Sequence, residues 1–197
     1  MKLKKFEGFL PSVKGLTKTF QAPKEITVNP KIRFVEFDYG VHKDTFLDGK
    51  LTLSREEKVI SDGRTIFKKA TFEKWTPEHS LYFFGYAWAN YIGYPFILPQ
   101  FELMGWKIKG LTTRFKIKFP DGFHTHSRIQ KFYFNRSHML SKHDYHADYA
   151  GSIFYAAHCT EGYEEKNGLK FSGIRKVRPR IGTIALPFYG VYAELGF

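Results

Sequence analysis

Four dipeptides that favour tight chain reversal, Asp48-Gly49, Asp62-Gly63, Asp121-Gly122 and Asn167-Gly168, punctuate this chain, and the segments beside them are rich in β-branched and aromatic residues. Asp-Gly and Asn-Gly tolerate the positive φ of short hairpin turns, so runs of this kind are expected to fold back on one another as antiparallel strands. The expected fold is all-β and mainly antiparallel over residues 1–197: a single lipocalin-like barrel, or a strongly curved half-barrel of lipoprotein-carrier-like shape, with roughly nine to eleven strands. A β-sandwich is the architectural alternative. Residues 1–30, which include Pro11, Pro23 and Pro30, read as an irregular lead-in.

The interior must be bulky, because 21 Phe, 12 Tyr and 3 Trp have to be accommodated. A single cysteine, Cys159, excludes an internal disulfide framework and a cysteine zinc ribbon. The basic amino terminus has no apolar run after it, so a secretory signal is not expected and the cytoplasm is the expected compartment. Residues 80–101 carry no charge, yet Gly85, Asn90, Gly93, Pro95 and Pro99 argue against a membrane span. That stretch reads as a strand, a short helical or irregular piece, and a Pro-bounded loop.

The formal net charge of +12 suits an acidic partner such as an acidic carrier protein, an anionic surface or a charged small ligand. Between Lys166 and Ala193 the chain holds Lys166, Lys170, Arg175, Lys176, Arg178 and Arg180 and no acid. Alternating cations that face solvent from a strand account for this pattern. No nucleic-acid signature accompanies it, and nucleic acid is not an expected partner.

Register places the polar residues on a face. With Asp121-Gly122 as a two-residue loop, Phe119 meets His124, Ile117 meets His126, Phe115 meets Arg128 and Thr113 meets Gln130, and opposed residues share a face. An even-length turn at Arg136-Ser137 sets His143 opposite Gln130 and Tyr145 opposite Arg128. A turn at Ala150-Gly151 then brings Phe154, Ala156 and His158 to the same face, with His158 opposite His143. One bulge would bring Asp144 and His146 inward instead, because strand side chains alternate. The change of apolar phase between Trp106-Ile108 and Leu111-Phe115-Ile117-Phe119 is read as a β-bulge near Gly110.

Histidine titrates near neutrality, at about 6.5 when unperturbed, so His143, His158 and Tyr145, with Asp144, are the candidate proton-transfer residues. Arg128 would anchor an anionic group and Gln130 would orient a carbonyl, while His126, Phe115, Phe132 and Trp106 would complete a pocket for an apolar body. The competing reading is a satisfied polar network in a crowded core. His124-Thr125-His126 supplies a metal alternative with two imidazoles on one strand face. His124-x-His126-x3-Gln130 also resembles the first metal motif of cupins, with Gln in place of Glu and no second motif. G-x-S-x-G, G-x-G-x-x-G and P-loop sequences are absent, and no cofactor is expected.

Phe119-Pro120, His124-Thr125-His126-Ser127, Gln130-Lys131-Phe132-Tyr133-Phe134 and Lys142-His143-Asp144-Tyr145, with Asp148 and Gly151, resemble a pattern in a group of uncharacterised bacterial proteins. The resemblance spans residues 119–151. It directs attention to His126, Ser127, Gln130, His143, Asp144 and Tyr145 and implies no activity. The resulting expectation is an acid/base enzyme working without a cofactor, an isomerase, cyclase, dehydratase or lyase, on a hydrophobic substrate, anionic or neutral, in the barrel interior. A noncatalytic carrier of a hydrophobic ligand and a basic protein that binds an acidic partner are the alternatives.

Overall fold

The computed structural model describes residues 1–8, 23–68, 76–146, 155–181, 184–187 and 190–196, which hold fourteen strands and one long helix. Five strands follow chain order in one antiparallel sheet: β2 (Glu25–Asn29), β3 (Phe34–Asp38), β4 (Lys43–Leu47), β5 (Lys50–Leu53) and β6 (Lys58–Ile60). Their alternation buries Ile26, Val35, Phe37, Phe46, Leu51 and Leu53 on one face. Asp48 and Gly49, at φ 44° and 98°, form the expected tight turn between β4 and β5. Asp62-Gly63 does not make a hairpin. The Asp62 carboxylate accepts from the Arg64 amide at 3.0 Å, and its carbonyl accepts from the Thr65 hydroxyl. Those local bonds start the 3-10 helix Gly63–Lys68.

The larger sheet runs in the order β1 (Lys2–Gly8), β14 (Val191–Gly196), β12 (Leu169–Ile181), β11 (Tyr155–Lys166), β10 (Leu140–His146), β9 (Ile129–Phe134), β8 (Thr112–Lys118) and β7 (Glu102–Lys109), with β13 (Ile184–Ala185) also paired to β12. Both sheets are antiparallel, in line with the all-β reading. β1 and β7 are the edges of the larger sheet and do not pair with each other among the described residues, so no closed barrel forms there.

Between the sheets lies α1 (Pro77–Ile97), a helix of 21 residues. It runs through most of the stretch expected as a strand, a short helical or irregular piece and a Pro-bounded loop over residues 80–101. Pro77 stands in its first turn, where the missing N–H costs nothing, and His79 Nδ1 accepts from the Thr76 amide at 3.0 Å. Both of its faces are covered, and nearly every residue from His79 to Tyr94 is buried. An all-round apolar helix has no polar stripe, so it carries no period for sequence reading to detect. Gly85 lets α1 approach β4 closely: a Cβ there would stand 2.4 Å from Phe46 Cβ. One cluster of buried apolar side chains draws on both sheets and the helix.

Several turns differ from expectation in register but not in face. Gly110, at φ 58°, belongs to the two-residue hairpin joining β7 and β8, and the bulge lies instead between Leu103 and Gly105. Asp121-Gly122 opens a long loop, and β9 begins only at Ile129, so Gln130 pairs with Ile117 and Phe132 with Phe115. The turn at Arg136-Ser137 spans residues 135–139, and a further register shift sets His143 opposite Phe132. His143 does face His158, and Tyr145 faces Ala156, as expected. Asn167-Gly168 makes the expected turn between β11 and β12. Ala150-Gly151 and Phe154 lie outside the described residues.

Candidate ligand cavity and the buried histidine cluster

Tyr82, Tyr86, Asn90 and Tyr94 recur every fourth residue on α1 and therefore form a slowly rotating row on one side of the helix. Each finds a polar partner. Tyr82 Oη meets His124 Nε2 at 2.9 Å, and Tyr86 Oη accepts from the His126 amide at 3.1 Å. Asn90 Oδ1 accepts from Arg33 Nη2 at 3.1 Å, and Tyr94 Oη donates to Gln130 Oε1 at 3.3 Å. Arg33, itself buried, also bonds the His124 carbonyl at 2.8 Å and the Asp48 carboxylate, so it ties the smaller sheet to the loop of residues 119–128.

Gln130 is the hub of the next layer. Its Nε2 donates to Thr125 Oγ1 and to the Ser127 carbonyl at 2.7 and 2.8 Å, and its Oε1 meets both Tyr94 and His143 Nε2. From there the rings of Phe132, His143, Tyr145 and His158 stack in sequence, with centroid separations of 4.3, 4.7 and 4.5 Å. His158 Nδ1 bonds Tyr91 Oη. Among the described residues, His143 Nδ1 and His158 Nε2 have no hydrogen-bond partner. Burial, reinforced by Arg175, drives His158 down to about 3, and burial, with His158 and Arg175 alongside, holds His143 well below the ordinary range. Both imidazoles are therefore neutral at physiological pH.

Beside this cluster is a cavity of about 340 Å3. Tyr91, Tyr94 and Leu98 on and after α1, Phe134 and Leu140 flanking the β9–β10 turn, and Phe171 and Arg175 on β12 form much of its wall. Exposed His138, Pro95, Pro99 and Lys170 stand at its mouth. Tyr91 and Tyr94 separate the cavity from His158 and Gln130, with rings on one side and hydroxyls bonded on the other.

Arg175 is the unusual member of this wall. It is only 5% exposed, and Nε and Nη1 of its guanidinium have no hydrogen-bond partner among the described residues. Its Nη2 donates to the Tyr91 carbonyl at 3.4 Å, and its guanidinium sits 4.5 Å from the centre of the Tyr91 ring. That carbonyl is an orphan for a simple reason: Pro95, four residues on, has no N–H to give it. Among the described residues no carboxylate forms an ion pair with Arg175, and burial pulls its pKa below the ordinary value. A buried cation without a counter-charge is costly, so an anion entering the cavity would find strong complementarity here.

The residues singled out in the sequence fall into three groups. His143, Tyr145 and His158 come together as expected, with Gln130, Phe132 and Phe115 packed in the same interior. Asp144 is also buried, but on the opposite face of β10, where it pairs with Arg180 and, at 3.3 Å, Lys142. His124 and His126 are buried on the loop beside Tyr82 and Tyr86 rather than on a strand.

Arg128 and Trp106 depart from their expected inward positions. Arg128 is exposed and pairs with Asp121 at 2.7 Å, because the chain there is loop rather than strand. Trp106 is 64% exposed on the edge strand β7. None of Arg128, Gln130, His126, Phe115, Phe132 and Trp106 lines the cavity. Its cation, Arg175, is expected from the sequence to face solvent with the other charges of its segment; Val177, two residues on and on the same face of β12, is the available signal to the contrary, and the helix that covers this face is not evident in the sequence.

Among the described residues, no three His, Cys, Asp or Glu side chains converge in a way that would hold a metal ion. No helix among them is long and apolar enough to cross a membrane. Protein-family models, curated proteins and solved structures give no significant match to this chain, so its function must be read from the cavity itself.

Proposed function

We propose that this protein is a carrier that binds an amphipathic organic anion, with the apolar body in the cavity beneath the C-terminal half of α1 and the anionic group on Arg175. The observation that carries this reading is the buried guanidinium with two nitrogens unpartnered among the described residues, set in a mostly apolar wall. The cavity lies within the usual size range of small-molecule sites, roughly 300–1,000 Å3. A curved, lipoprotein-carrier-like half-barrel wrapped around a central helix is the form of the fold that fits this role, and a cytoplasmic setting belongs to the same proposal.

Displacement of the fluorescent anion anilinonaphthalene sulfonate tests it. Alkyl carboxylates should displace the dye at least tenfold more effectively than alcohols of equal length, and Arg175→Met should erase that difference. Equal displacement by both series would contradict the proposal.

A second reading, proton transfer on the bound molecule, is favoured by one contact. Tyr91 is both a wall of the cavity and the partner of His158, and it also shares a hydrogen bond with Tyr145. In this reading Tyr91 is the group that meets the substrate, with His158, His143 and Tyr145 behind it and Asp144 on the far face. Tyr91→Phe separates the two readings: a carrier keeps its affinity, whereas an enzyme keeps affinity but loses turnover of the ligand it retains.

A further inference from the structure

The hairpin of β7 and β8 leaves an apolar surface uncovered at the edge of the larger sheet. Register puts Leu103, Trp106 and Ile108 on one face with Ile117, Phe115 and Thr113. The helix does not reach the outer strand: Leu103, Trp106 and Ile108 are all more than half exposed, as is Leu111 at the turn, and Met104 at the bulge is also exposed. The other face is basic. Lys107 pairs with Arg114 and Gly105 with Lys116, and Lys109 and Lys118 complete five cations on the two strands against a single carboxylate, Glu102. Glu102 is engaged by Lys118 at 3.2 Å, and the other four cations form no ion pair among the described residues.

We infer that this hairpin docks tip-first on an anionic lipid bilayer. Ile108, Leu111 and Trp106 would enter the boundary between headgroups and acyl chains, with Lys107, Lys109 and Arg114 at the level of the phosphates. Tryptophan favours that depth because one part of its ring system is apolar and its N–H is not. An amphipathic surface flanked by cations binds bilayers through buried apolar area plus attraction to anionic lipid. Charge also argues against a second copy as the occupant. Each copy would bring five cations and one carboxylate to the seam, so two copies would meet with like charge in excess. The inference concerns a surface apart from the cavity and does not depend on what the cavity holds.

Co-sedimentation with vesicles tests it, using phosphatidylcholine alone and phosphatidylcholine with a third phosphatidylserine. The wild-type protein should bind the anionic vesicles at least tenfold more tightly than the neutral ones, and less tightly as salt rises. Ile108→Ser with Leu111→Ser, at exposed positions that leave the melting temperature unchanged, should weaken that binding tenfold or more. Lys107→Glu with Lys109→Glu should abolish the preference for anionic vesicles. Absence of binding, equal binding to both vesicle types, or undiminished binding by these variants would overturn the inference. So would a dimer in size-exclusion chromatography that the serine variant converts to a monomer, because the surface would then belong to a second copy.

Discussion

Substitution of Arg175 by Met keeps an unbranched apolar stem and removes the guanidinium with its charge, and its effect on the empty protein can be worked from the contacts. An unpaired charge in the interior costs roughly 3–5 kcal/mol. Against this, the variant loses the stacking of the guanidinium on Tyr91, about 1–2 kcal/mol in a desolvated setting. It also loses the bond to the Tyr91 carbonyl, which Pro95 leaves without an intrahelical donor, about 1–2 kcal/mol. Taken at the middle of each range, the balance favours Met by about 1 kcal/mol, which for a chain of this size raises the melting temperature by ~2–4 °C. Urea unfolding of delipidated wild type and variant measures the difference, and dye displacement on the same samples measures binding. The reasoning requires the two to move in opposite directions, with stability up and anion selectivity lost. A variant that is less stable by 2 kcal/mol or more would show that Arg175 is net structural support, and the case for a ligand counter-charge would fall.

Three other outcomes follow from the geometry. Folded-state pKa values below the unfolded value mean that the unfolded chain binds protons that the native one excludes, so stability is present above about pH 6.5 and is lost as pH falls. His158, held at about 3, alone removes about 2 kcal/mol between pH 6.5 and 5. His124, lowered to about 4 by burial and by Arg33, acts with the same sign, as do His126 and His143. Circular dichroism should therefore show cooperative acid unfolding above pH 4, and a native spectrum at pH 3.5 would contradict the neutral-histidine assignment. Gln130→Ala strands Tyr94 and His143 in the interior and should cost about 2–4 kcal/mol in urea unfolding; a loss below 1 kcal/mol would show that the hub is dispensable. Gly85→Ala gains helix propensity, about 1 kcal/mol, but forces a methyl into Phe46. The overpacking should prevail and leave the variant about 1–2 kcal/mol less stable.

The sequence carried the histidine cluster for a reason that also explains what it missed. The loop after Asp121-Gly122 shifts the β8–β9 pairing by four residues, and the turn before β10 together with the bulge between Leu140 and Lys142 shifts the β9–β10 pairing by two. Even shifts preserve which face a side chain takes, so His143, Tyr145 and His158 still meet despite wrong partners on β9. Arg128 had no such protection, because it lies in the loop and not on a strand. The larger loss was α1. A helix packed on both sides shows continuous apolarity, and its glycines and Pro95 read as breakers. Without that helix there is no wall of Tyr91 and Tyr94, no cover over Arg175, and so no cavity to be seen in the sequence.

Native mass spectrometry, of wild type and Arg175→Met side by side, as purified and after addition of dodecanoate, bears on the central claim most directly. The account predicts one acidic amphipathic molecule bound per wild-type chain, either carried through purification or supplied as dodecanoate, and at least tenfold lower occupancy in the variant. A wild-type chain that takes up no carboxylate, or a variant that holds it equally well, would contradict the assignment of Arg175 and its cavity as the binding site.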